Sequence, residues 1–258
     1  MHLVVQGGLR YYQFTALSNL RHAIFTRHGG VSQAPFDSLN VGGMVGDDLG
    51  AVRRNHTIMY EALHVEPRRA VTTWLVHGVD VVYVTGPVQG RLWAAQADAM
   101  MTDKPDTPLV MRYADCTPLF FHDPVKGVVA LAHAGWRGTV AGMAARTIKA
   151  MGAAFGSRPA DVLAGIGPAI GPARYQVGEE VVAAVHAYFG TLDGLIRRDP
   201  VDGSAYFDLW EANRRDLLGA GVEQVELAGL CTAENTDQFY SHRAEGGRTG
   251  RFGAVLSL

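Results

Sequence analysis

The run ADCTPLFFHDPVKGVVALAHAGWRG, from Ala114 to Gly138, constrains the fold of this chain more than any other segment. Two apolar stretches, Leu119–His122 and Gly127–His133, lie either side of a short turn, and that spacing predicts an antiparallel β-hairpin. The hairpin carries Cys116 at one end and His133 at the other, and His77 closes the apolar run TTWLVH upstream. The intervals of 39 and 17 residues are too wide for a zinc finger. All three residues nevertheless stand where strands give way to loops, with small residues after both histidines (Gly78; Ala134 and Gly135). One thiolate and two imidazoles suit zinc, and three protein ligands leave a position open for water or substrate. The same donors also admit copper.

Short apolar runs alternate with longer Ala-rich ones elsewhere. Further strands are expected at His22–Thr26, Ala70–Val76, Val79–Val84, Leu109–Arg112, Val162–Ile166, Val222–Ala228 and Arg251–Leu256. Helices are expected at Leu49–Leu63, Val140–Phe155, Gly178–Phe189 and Leu209–Gly219. Thr139 is the expected N-cap of the second helix. Asp208 followed by Glu211 predicts a capping box for the last. Gly86–Gly90 reads as a loop, and Gly190–Ser204 as an irregular excursion with a short strand at Leu195–Arg197. The expectation is an α/β fold: one compact domain over residues 1–258, with mixed, mainly antiparallel sheets flanked by helices. No dinucleotide fingerprint or phosphate loop is present, since GGLR at Gly7 and IGPAIGP at Ile166 lack the required spacing.

Composition narrows the function. At 48% hydrophobic, the chain can bury a sizeable core. A net charge of −2 with 19% charged residues argues against a general binder of nucleic acid or anionic membranes. No apolar run approaches the ~20 residues of a membrane helix, and MHLVVQGGLRYYQF is a poor signal peptide, so a cytoplasmic location is expected. Cys116 and Cys231 need no disulfide in a chain of this length. No coiled coil or other sequence feature sets an oligomeric state.

Other polar residues carry two readings each. Asp115 is placed to orient a ligand histidine or exchange a proton, or else to cap a turn. Arg137 is suited to bidentate phosphate binding or a structural ion pair. Trp136 stacks on a base or packs in the core. Arg27 and His28 reach an anion or belong to a surface loop, and Asn40 binds a polar ligand or its own backbone. Cys231, His242, Arg243, Arg248 and Arg251 complete a ribose or phosphate pocket, or form a charged loop before a buried last strand.

The runs TRHGGVS, SLNVGG, VHGVD, ADCTPLFFHD, HAGWRGTVAG, IGPAIGPARYQVG, FDLWEANRRDLL and SHRAEGGRTGRFGAVL, in that order, resemble the YfiH-type family. That family is also called the laccase-domain or multicopper polyphenol oxidoreductase family. The resemblance implies an α/β domain with a metal at His77, Cys116 and His133. It also implies purine nucleoside chemistry: phosphorolysis of adenosine, inosine, guanosine and methylthioadenosine, and deamination of adenosine. Zinc is the expected metal. Copper-dependent oxidation of polyphenols is the alternative carried by the family's older name, but the chain lacks the His-rich, multi-site pattern of a multicopper oxidase. Two departures stand out. Leu75 replaces the family's common Gln before Val-His-Gly, and His56 follows Asn55 where Arg is common.

In this reading Arg137 holds phosphate, Asp115 handles the proton, Cys116 belongs to both metal and catalytic sets, and Arg27, Asn40, Trp136, His242 and Arg243 bind substrate. Two further alternatives are a cysteine hydrolase, with Cys116 as nucleophile and His133 as base, and a non-catalytic metal-binding protein.

Overall fold

A computed structural model describes residues 1–87 and 93–258. The expected loop at Gly86–Gly90 therefore lies partly outside the described residues. In chain order the elements are β1 (His2–Gln6), β2 (Leu9–Gln13), β3 (Arg21–Phe25), α1 (Leu49–Ala62), β4 (Val81–Tyr83), β5 (Ala99–Thr102), β6 (Leu109–Tyr113), β7 (Thr117–Asp123) and β8 (Val128–Ala134). They continue with α2 (Trp136–Thr139), α3 (Met143–Phe155), β9 (Leu163–Ile166), β10 (Gln176–Val177), α4 (Glu179–Phe189), β11 (Ile196–Arg198), β12 (Ala205–Phe207), α5 (Leu209–Gly219), β13 (Gln224–Leu227) and β14 (Phe252–Ser257).

Two large sheets form the body, in the orders β1-β2-β3-β14-β6 and β13-β9-β7-β8-β5-β4. The first is wholly antiparallel, and the second is antiparallel except at its two edge pairs. The α/β architecture with mixed sheets agrees with the sequence expectation. Alternation along each strand explains the layering. Phe120, Val129 and Leu131 face Ile24, Met111 and Phe252 in a core between the sheets. Their neighbours Leu119, Phe121 and Ala130 face Met143, Ile148 and Met151 of α3 on the other side. On the far face of the five-stranded sheet, Ala23, Phe25, Val110 and Val255 pack under Met59 of α1. A small third sheet, β10-β12-β11, sits with α4 over a separate apolar cluster.

The predicted hairpin is β7–β8, with Pro118 opposite His133 and Thr117 opposite Ala134. Asp208 caps α5 by accepting from the Glu211 N–H at 2.9 Å. Three local expectations change. Thr139 does not cap a helix beginning at Val140. It ends the short α2, and its buried hydroxyl accepts from Asn213 Nδ2 at 3.1 Å. The next helix starts at Met143 because Gly142 takes a left-handed φ of 78°, which breaks the run. Ala70–Val76 forms no named strand and only isolated bridges, through Val71 and Trp74. The backbone N–H of Val76 goes instead to the Asp98 carboxylate. Finally, β1 and β2 were not anticipated. Gly7 and Gly8, both at positive φ, close this hairpin tightly.

Candidate metal centre

Local geometry explains how the three candidate ligands meet. Extending the β7–β8 register by one pair places Cys116 opposite Gly135. A Cβ at Gly135 would lie 2.9 Å from Cys116 Sγ and 3.5 Å from His77 Nδ1, so only glycine leaves this space open. His133 projects from β8, and His77 sits on a left-handed backbone with φ of 57°. One donor atom from each of His77, Cys116 and His133 lies within 4.8 Å of the others. The two imidazole rings are 5.1 Å apart. The donor set, its convergence and the cleared volume beside it fit a metal ion.

Asp98 holds this arrangement, and the sequence reading did not single it out. Fully buried, its Oδ1 accepts from His133 Nδ1 at 2.9 Å and from the His77 N–H at 3.1 Å. Its Oδ2 accepts from the N–H groups of Val76 and Gly78 at 3.0 and 2.8 Å. One carboxylate thus ties β8 to the loop carrying the other histidine. It directs His133 to present Nε2, the usual outer-shell device of metal sites. Burial favours the neutral acid, but hydrogen bonds from His133, Gly78 and Val76 hold Asp98 below its usual pKa. The one available sequence signal was an acid placed between Ala97 and the apolar run Ala99–Met101.

Burial also favours the neutral Cys116 thiol, yet the His133 charge and hydrogen bonds from His133 and His77 bring its pKa down to about 6. His133 is shifted upward: burial opposes its charge, but the Cys116 thiolate and Asp98 outweigh burial. Cys231 is different. Its buried thiol is shifted up by desolvation, and its sulfur lies 3.1 Å from the Gly171 N–H. Metal-free protein is therefore expected to lose Cys116 to iodoacetamide about tenfold faster than Cys231 near neutral pH. The Cys116 rate should fall as pH drops through about 6, where the thiolate takes up a proton. Peptide mass mapping reads both sites, and equal rates would remove the thiolate assignment.

A cavity of about 90 Å³ opens beside the centre, with His77 and Cys116 in its wall together with Asp115, Trp136, Arg137 and Tyr175. Asp115, on a left-handed backbone with φ of 83°, accepts from Thr232 Oγ1 at 2.6 Å and from the Arg243 N–H at 2.7 Å. The exposed Arg137 guanidinium stacks 4.5 Å over the Trp136 ring. Arg243, also exposed, lies 5.3 Å from the Tyr175 ring and donates to the Gln176 carbonyl at 2.7 Å. Tyr175 joins Asp98 as a site residue the sequence reading passed over.

The other expected substrate residues lie outside the cavity wall. Arg27 donates to the carbonyls of Asp37 and Thr236 at 2.8 and 2.7 Å and pairs with Glu245 at 3.0 Å. Asn40, fully buried, donates to Asp47 at 2.8 Å and accepts from the N–H groups of Gly42 and Arg251, each at 2.8 Å. Both residues hold loops together. His242 is exposed, its ring against Gly247. Leu75 packs on the inter-sheet core, so the family's Gln is replaced by an apolar contact. His56 on α1 hydrogen-bonds the Val41 carbonyl at 3.1 Å. No helix among the described residues is long and apolar enough to cross a membrane.

Comparison with known proteins gives a consistent pattern. The family described as multi-copper polyphenol oxidoreductase laccase matches residues 21–258. A purine nucleoside phosphorylase of Bacteroides thetaiotaomicron is 36% identical over 251 residues, covering 94% of this chain and 93% of that protein. The purine nucleoside phosphorylase YfiH of Escherichia coli is 35% identical over 234 residues, covering 90% and 91%. The crystal structure of YlmD from Geobacillus stearothermophilus superposes with a TM-score of 0.92 at 34% identity, covering 99% of this chain and 98% of that one.

Proposed function

Because the chain belongs to the multicopper polyphenol oxidoreductase (laccase-domain, YfiH/YlmD) family, we propose that it is a purine nucleoside phosphorylase built as one domain over residues 1–258. Its proposed substrates are adenosine, inosine, guanosine and methylthioadenosine, with adenosine deamination as a second activity. The observation that carries the reading is relatedness over at least 90% of the chain to proteins named purine nucleoside phosphorylase. The cavity beside the three ligand-type residues gives that relatedness a place to act.

In phosphorolysis a phosphate oxygen bonds to ribose C1′ as the bond from C1′ to the purine nitrogen breaks. The purine leaves with the electron pair and needs a proton or a positive charge. His77, Cys116 and His133 would hold zinc, which supplies Lewis acidity when bound. Asp115 is assigned the proton: it is buried at the cavity, fixed by Thr232 and Arg243. The cavity is smaller than the ~300 Å³ of sites that enclose a ligand, so part of a nucleoside lies across the rim. There the Trp136 and Tyr175 rings offer stacking surfaces, with Arg243 beside Tyr175. Arg137 is exposed at the mouth, where it meets the incoming anion.

Incubating metal-defined protein with the four nucleosides, with and without phosphate, tests this. Free base and ribose 1-phosphate (5-methylthioribose 1-phosphate from methylthioadenosine) are expected, and only when phosphate is present. Base release without phosphate would overturn the reading. A cysteine hydrolase is the second reading, favoured by the lowered Cys116 pKa beside a raised His133. It requires metal-free turnover and a trappable thioester.

A further inference from the structure

Six arginines among the described residues are half-buried: Arg21, Arg27, Arg112, Arg214, Arg215 and Arg251. Four of them lie against carboxylates, Arg21 on Asp106, Arg27 on Glu245, and Arg214 and Arg215 on Glu211. Arg112 and Arg251 alone have no carboxylate partner among the described residues. A half-buried guanidinium without a counterion is costly, and here two lie close together.

The register places them. Arg112 on β6 is opposite Gly253 on β14. Arg251, two residues before Gly253, shares its face of the sheet and is the diagonal neighbour of Arg112. This is the face covered by α1, since a Cβ on Gly253 would meet Met59. Gly42 lets Arg251 lie flat, for a Cβ there would be 2.7 Å from Arg251 Cγ. His56 on α1 adds no charge, because burial and the Arg112 charge push its pKa down to about 4.

Among the described residues, most of their N–H groups have no hydrogen-bond partner. Arg112 makes one hydrogen bond, from Nη2 to the Thr73 carbonyl at 3.3 Å. Arg251 uses only Nη1, to the Thr249 and Gly250 carbonyls at 3.1 and 2.7 Å. Each guanidinium has five donors, and none of the unused nitrogens is among the sealed, unpaired polar atoms of the interior. They therefore keep at least some contact with solvent. Extending the β6–β14 register by one pair sets Arg251 opposite Ala114, next to Asp115 and two residues from Cys116, so the Arg251 end of the pair lies beside the metal centre.

We propose that Arg112 and Arg251 form a seat for a tetrahedral oxyanion. On the phosphorylase reading, from which the identity of the occupant follows, that anion is the phosphate cosubstrate. Two guanidiniums on one sheet face match the charge and the spread oxygens of a phosphate dianion. Arg137, exposed and stacked on Trp136, attracts phosphate at the mouth without drawing it out of water.

The test titrates inorganic phosphate into the metal-loaded full chain by calorimetry, with no nucleoside present. Wild type is expected to bind saturably. Arg112→Met and Arg251→Met should each weaken binding about tenfold or more, and Arg112→Lys should recover part of the loss. Arg158→Met, a control at an exposed arginine paired with Asp161, should stay within about threefold of wild type. Thermal unfolding of each variant, and adenosine affinity measured without phosphate, separate a lost ligand from a lost fold. Absence of saturable binding in wild type would overturn the seat. So would wild-type phosphate affinity in a folded Arg112→Met, or a loss confined to Arg137→Met. If phosphate binds as described but no nucleoside yields base, the phosphorylase reading fails and the oxyanion site stands. If phosphorolysis proceeds with an unchanged phosphate KM in Arg112→Met, the seat fails and the reading stands.

Discussion

Cys116→Ala is expected to purify without its metal and without phosphorolytic activity while keeping its fold. The thiolate is the anionic member of a set whose other two donors are imidazoles. Structural zinc sites gain on the order of 10 kcal/mol from their ligands together, so loss of the thiolate should weaken binding on the order of a hundredfold or more. The fold should tolerate the change. The side chain is small and half-buried at the cavity wall, and the hairpin beneath it is held by the β7–β8 ladder. The measurement is elemental analysis after anaerobic purification, with circular dichroism to check the fold. Stoichiometric metal in the variant would remove Cys116 from the ligand set.

Asp98→Asn should be the most damaging isosteric change outside the ligands. Each carboxylate oxygen receives two N–H donors, one from His133 Nδ1 and three from the backbone of residues 76–78. An asparagine amide turned either way sets its own N–H groups against two of these donors. Each buried donor left without an acceptor costs about 1–3 kcal/mol. The expected outcome is a loss of roughly 2–5 kcal/mol in stability to denaturant and a 10–100-fold loss of metal affinity, about the effect of removing an outer-shell partner. Chemical denaturation and competition with a chelator read the two effects separately. Unchanged metal affinity would show that Asp98 braces the loop without orienting His133.

These two residues differ in how readable they were. Cys116 and His133 belong to one hairpin with a short turn, so a run of some twenty residues contains both their spacing and their facing positions. Asp98 looked like an isolated acid before a short strand of Ala, Met, Met and Thr. That strand, β5, lacks the β-branched and aromatic residues that mark strands, and its burial between β8 and β4 is what makes it one. Ala70–Val76 failed in the opposite sense. Its composition suits a strand, but the N–H of Val76 and those of His77 and Gly78 beyond it are taken by Asp98, while Trp74 pairs with the 95–97 segment.

Arg27 and Asn40 show why polar residues in loops are hard to assign from order alone. Both sit in polar, glycine-rich runs suited to ligands, and besides their local bonds each ties to a chain segment about 210 residues away, Arg27 to Thr236 and Asn40 to Arg251. Arg112 is the converse case. Inside an apolar strand it reads as an outward-facing residue, and its meaning comes from Arg251 across the ladder.

By itself, then, the sequence determined what depends on neighbours along the chain: the hairpin, the capped α5, the alternation that buries both faces of β7 and β8, and the identity of three ligand-type residues, two of them on that hairpin. Only the tertiary structure decided which distant groups meet them. It brought His77 and Asp98 to the hairpin, kept Arg27 and Asn40 for structural duty, and set Arg112 beside Arg251. The physical reason is that a strand's two-residue period specifies which face each side chain takes but not which strand lies alongside, and the chemistry of this centre depends on those neighbours.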